Sequence, residues 1–113
     1  KPPKPPATWP RDGRMRIEIR PAFDEAVMSA EPPVRKAAAK MLVLLQALEL
    51  TDLWKHPGLN FEKLHGLIEP GTGHQLYSLR VTASARAVTC LLSGPTLVLV
   101  SLHVQHEKAY RKR

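Results

Sequence analysis

The sequence predicts an α+β domain, with helices packed on one face of a small antiparallel sheet and elements in the order β-α-α-β-β-β. Three observations predict it. RMRIEIR alternates apolar and polar residues with period two. VRKAAAKMLVLLQALEL carries an apolar stripe at helical spacing. From Gln75 onward the pattern becomes that of three strands joined by short turns. A strand, then helices, then a run of hairpin-linked strands is the signature of helices segregated to one side of an antiparallel sheet.

The first strand sets Met15, Ile17 and Ile19 against Arg14, Arg16, Glu18 and Arg20 and stops at Pro21. AFDEAVMSA reads as a short helix, broken by Pro32 and Pro33, of which Pro33 suits the first turn of the next helix. In that second helix Val34, Ala38, Met41, Leu42, Leu45 and Leu48 share one stripe, with Arg35, Lys36 and Lys40 on the other side. Residues 51–74 are less regular. HPG and EPGTG are turn signals, and NFEKL between them reads as one helical turn capped by Asn60. QLYSLRVT then alternates Tyr77, Leu79 and Val81, facing the helices, with a polar face of Ser78, Arg80 and Thr82. RAVTCLL and TLVLVSLHV, separated by SGP, are rich in apolar and β-branched residues and read as central strands.

Two regions are predicted: residues 1–13 as a proline-rich basic arm or linker, and 14–113 as the folded domain. KPPKPPATWP holds five of the eleven prolines and favours an extended, polyproline-like segment. A chain of 113 residues suffices for a core without staples. The single cysteine, Cys90, rules out an internal disulfide and fits a reducing, cytoplasmic setting. No apolar run is long enough for a membrane span. The net charge is +7. It is concentrated at the ends: residues 1–20 carry +4 and residues 103–113 carry +3, while the segment between them balances. Clustered positive charge attracts polyanions and also simply solvates a terminus.

The site chemistries narrow by elimination. His103 and His106 form an H-x-x-H pair, yet no second pair or C-x-x-C accompanies it, so no metal or cofactor is predicted. Cys90 sits mid-strand as an inert thiol. No G-x-S-x-G is present, and GTG at 71–73 lacks the lysine of a phosphate loop. What remains is Arg80, Arg86, His103, His106 and Tyr110. Arg80 and Arg86 flank one turn; His106 and Tyr110 are four apart and share a face if HEKAY is helical. Guanidinium, imidazole and phenol together match metal-free RNA cleavage, in which a base takes the 2′-OH proton, an acid supports the leaving oxygen and arginines hold the phosphate. The same residues also fit a plain surface: arginines over apolar area, a structural histidine and a tyrosine at the core edge.

Residues 14–113 resemble the RelE/ParE toxin superfamily. The stretches that carry the resemblance are MRIEIRPAFDEAV, HPGLNFEKLHG, LYSLRVTASARAV and LVLVSLHVQHEKAYRKR. Within them Leu79-Arg80-Val81, Ala85-Arg86-Ala87-Val88 and His106-Glu107-Lys108-Ala109-Tyr110 are similar to patterns of that family. The resemblance implies a RelE-like fold and the toxin of a type II toxin–antitoxin pair, a cytoplasmic endoribonuclease that cuts mRNA on the ribosome and is restrained by an antitoxin protein. It implies a phosphate-binding or transition-state role for Arg86 and acid–base or orienting roles for His106 and Tyr110. Arg80, Lys55 and Lys63 are implied substrate contacts, and His103, Lys108 and Arg111 are further candidate substrate contacts. Two other readings stay open: a non-catalytic RelE-fold binding module of a larger protein, and a ParE-like inhibitor of DNA gyrase.

Overall fold

The computed structural model describes residues 15–105. Strand β1 (Arg16–Ile19) leads into helices α1 (Pro21–Ser29), α2 (Pro32–Ala47) and α3 (Asp52–Lys55). Four strands follow: β2 (Glu62–Ile68), β3 (Gln75–Arg80), β4 (Ala85–Leu92) and β5 (Thr96–Val104). The expected α+β architecture is present, with one more strand and one more short helix than the sequence predicts. The proline-rich arm falls outside the described residues. No helix among the described residues is long and apolar enough to cross a membrane.

Prolines set the helix starts. Both α1 and α2 open on proline, whose missing N–H is an orphan there in any case. Arg20 and Glu31, each just before a proline, are held extended at ψ 151° and 155°. The stripe predicted for α2 points inward: Val34, Ala38, Met41 and Leu45 are buried, and Leu42 and Leu48 are half-buried.

The sheet order is β1-β5-β4-β3-β2. β2 to β5 form an antiparallel meander, and β1 lies parallel to β5 at one edge. The strands read as central, β4 and β5, are interior. The helices cover the face that carries Leu79, Ala87 and Leu102, which stand in one row across β3, β4 and β5. The small Ala87 between two leucines leaves room for Phe23, Met41 and Leu45 in the same core. Ile19 shares this face but is 45% exposed, because β1 is an edge strand.

NFEKL is not a helical turn. Asn60 takes a left-handed φ of 46°, and Glu62 begins β2. The strand escaped the period-two test because it is strongly bulged: Lys63 pairs with Tyr77 but Ile68 already with Gln75, so extra β2 residues lie between. The Gln75 amide fills the bulge, donating to the carbonyls of Leu64 (2.6 Å) and Leu67 (3.0 Å). Gln75→Ala should therefore lower unfolding free energy by about 1 kcal/mol, read from the urea midpoint. At the start of β2, Phe61 stacks on Tyr77 at 4.9 Å and Trp54 of α3 meets Phe61 edge-on at 5.0 Å, fixing α3 and β2 against β3.

Candidate nucleic-acid interface

The face of the sheet away from the helices carries the polar residues of the sequence reading. Arg80 pairs with Arg86 across β3 and β4, and Arg86 pairs with His103 across β4 and β5. Directly opposed residues share a face with Cβ atoms about 4.5–5.5 Å apart, so the three form one row perpendicular to the strands. Two guanidinium groups opposed in this way repel one another. Among the described residues, neither is within ion-pair distance of a carboxylate.

A bulge in β5 completes this row. Counted outward from the β4–β5 turn, an unbulged hairpin would set Leu102 opposite Arg86. Instead Thr89 pairs with Leu99 and Val88 with Ser101, so Val100 is an extra residue. That single insertion sends Leu102 into the core and His103 to the open face. Arg86 is half-buried, and its Nη1 donates to the carbonyl oxygens of Thr82 (2.8 Å) and Ala85 (3.4 Å), which fixes the guanidinium against the β3–β4 turn. His103 Nε2 lies 2.9 Å from Ser101 Oγ on the same face. Arg80 and His103 are exposed.

The structure does not bring every predicted contact here. Lys63 is in register with Tyr77, on the helix side of the sheet, and Lys55 ends α3, next to Trp54 of the aromatic cluster. Both are exposed, but neither joins the row. His106, Lys108, Tyr110 and Arg111 lie outside the described residues.

Three residues on this face were not singled out by the sequence. Ser101 could have been read from its spacing of two from His103. Arg20 sits on the polar side of β1, but nothing local says that β1 lies beside β5. Glu69 gives no local signal at all. It follows β2, is 7% exposed, and lies over the sheet, where its Oε1 accepts from Thr72 Oγ1 (2.7 Å) and the Cys90 thiol (3.8 Å). Its Oε2 is 3.4 Å from Arg20 Nη1. Since β1 and β2 are the two edges of the sheet, this ion pair joins them across the face. Under it, Cys90 and Val98 are fully buried although they point away from the helices.

Burial, helped by the nearby Glu69 carboxylate, pushes the Cys90 thiol up from 9.0 to about 11. The thiol is thus neutral and unreactive at neutral pH, as its mid-strand position suggests. Its contribution to stability is full below pH 9 and is lost as pH rises towards 11. At pH 8, Cys90 should react with iodoacetamide much more slowly in the folded chain than in urea, as followed by mass spectrometry.

No protein-family model and no curated protein matches the sequence. The likeness is to solved structures. A chain of the archaeal RelE–RelB complex from Pyrococcus horikoshii superposes with a TM-score of 0.58 at 14% identity, over 80% of this chain and 94% of that one. The fold is RelE-like. Weaker likenesses are to a YoeB/ParE toxin from Agrobacterium tumefaciens (TM-score 0.48, 13% identity, 81% of this chain and 100% of that one) and to a YoeB dimer from Staphylococcus aureus (0.48, 16%, 82% and 99%). In this RelE-like fold the Arg80–Arg86–His103 row occupies the sheet face that the helices leave open.

Proposed function

We propose that this chain is the toxin of a type II toxin–antitoxin pair, a metal-independent endoribonuclease acting on mRNA at the ribosome. The observation that carries the reading is the Arg80–Arg86–His103 row. Repelling cations placed in register, one of them pinned by backbone carbonyls, are relieved by a bound polyanion. Arg86, held by Thr82, stabilises the charge that builds on the scissile phosphate. Arg80 and His103 hold neighbouring parts of the RNA backbone. His106 and Tyr110, which follow β5 in the sequence, supply the acid–base pair that takes the 2′-OH proton and protonates the leaving 5′ oxygen. The RelE-like fold supports the reading, and the RelE–RelB complex supports a partner protein that masks the basic face until it is removed.

Expression without a partner protein tests this. The wild-type chain should arrest protein synthesis within minutes of induction, followed by pulse labelling, and Arg86→Ala should not. Equal harmlessness of the two would sink the nuclease reading. Salt-dependent RNA binding without cleavage would favour a binding module, and DNA cleavage complexes beside intact mRNA a gyrase inhibitor.

A further inference from the structure

The Arg80–Arg86–His103 row spans three adjacent strands and stops at β5, but the sheet continues to β1. The residue that follows β1, just before α1, is another arginine. Arg20 N donates to Leu99 O at 3.0 Å, one step beyond the Ile19–Leu99 pair, which sets Arg20 beside the β5 bulge at Val100. Its side chain lies on the open face, because its Nη1 meets Glu69 there, above Cys90. Arg20 thus adds a basic group at the end of a fourth consecutive strand, on the same face as the row but nearer Cys90. Four strands at about 4.8 Å spacing span about 14 Å, enough for more than one phosphate.

The guanidinium is held in a definite pose. Nε donates to Glu18 Oε2 at 3.1 Å, and Nη1 faces Glu69 Oε2 at 3.4 Å. Among the described residues, Nη2 has no partner, and the side chain is one-third exposed. The two carboxylates therefore hold Nε and Nη1 from different sides and leave Nη2 to solvent. An arginine that served only to neutralise buried Glu69 would need neither the second acid nor an exposed Nη2.

We infer that Arg20 is a fourth anion contact of this face, oriented by Glu18 and Glu69 so that its Nη2 meets a phosphate of RNA lying across β3, β4, β5 and the end of β1. The inference rests on the nuclease reading for the identity of the polyanion, and it adds a binding residue and a direction for the strand. Glu18 and Glu69 are positioning residues: they touch the arginine, not the RNA.

The test is binding of a short single-stranded 2′-O-methyl RNA, which cannot be cleaved through its 2′ oxygen, over a range of salt concentrations. Arg20→Gln alone would leave Glu69 buried without its counter-charge, so the variant is R20Q/E69Q, in which two amides replace the ion pair. Slow alkylation of Cys90 reports that the segment carrying Glu69 still covers the sheet. The variant should bind several-fold more weakly at low salt, with the slope of log K against log salt smaller by about 0.7, the value for one phosphate contact on a single strand. An unchanged slope overturns the inference and leaves Arg20 as a structural partner of Glu69. If R20Q/E69Q fails the Cys90 check, Arg20→Lys decides: it keeps the charge but loses the fork, so weaker binding at an unchanged slope is expected, and wild-type affinity overturns the inference. A wild-type chain with no salt-dependent RNA binding overturns the nuclease reading along with this one. Weaker binding for Arg86→Gln, with wild-type slope for R20Q/E69Q, overturns this one alone.

Discussion

Phe23→Ala should lower the free energy of unfolding by about 3–5 kcal/mol, a large part of the 5–15 kcal/mol typical of a domain. Phe23 is the one fully enclosed residue of α1, 1% exposed, and it joins α1 to the core beneath the sheet. Ala26, Val27 and Ala30 add only partly buried contacts, so nothing else on α1 can fill the space a ring leaves. The same helix supplies its own control. Met28 is 69% exposed, and Met28→Ala should change stability by less than about 0.5 kcal/mol. Urea titration of the two variants reads the difference directly. Similar midpoints would mean that α1 does not dock through Phe23.

Arg86→Ala should slow RNA cleavage by about 10²–10³-fold, the loss expected when one preorganised donor to a developing oxyanion is removed. Among the three residues of the row, Arg86 is central, the only half-buried one, and anchored by Thr82 O. Arg80→Ala should cost less, because Arg80 is exposed and stands at the end of the row. The two changes should leave stability nearly unchanged or slightly raised, since each removes a like-charge pair in register. Cleavage rates together with urea midpoints separate this from simple unfolding: a loss of rate with full stability is the expected combination. Arg86→Lys keeps a charge but not the two-point fork, and should recover only part of the rate.

Local signals gave α1, α2 and the last three strands, but not α3. The proline breaks set the starts of α1 and α2, and alternation on either side of one short turn places Arg80 beside Arg86. The same alternation could not supply the rest. β2 hides its period behind a bulge that only the Gln75 side chain makes tolerable. The extra Val100 in β5 reverses which residues face outward beyond it, so simple counting would have buried His103 and exposed Leu102. The parallel pairing of β1 with β5, across nearly the whole chain, has no local signature, and with it Arg20 and its contact with Glu69 stayed invisible. Short-range pattern thus reveals contacts made through turns, while contacts made through sheet closure have to be seen.

The nuclease reading is tested most directly by incubating the purified chain with an mRNA, with and without ribosomes, and mapping the ends that appear. Wild-type protein should produce defined cuts carrying 2′,3′-cyclic phosphate, the product of attack by the neighbouring 2′-OH, and Arg86→Ala should produce them at least a hundredfold more slowly. An mRNA that stays intact under both conditions, bound or unbound, contradicts the account.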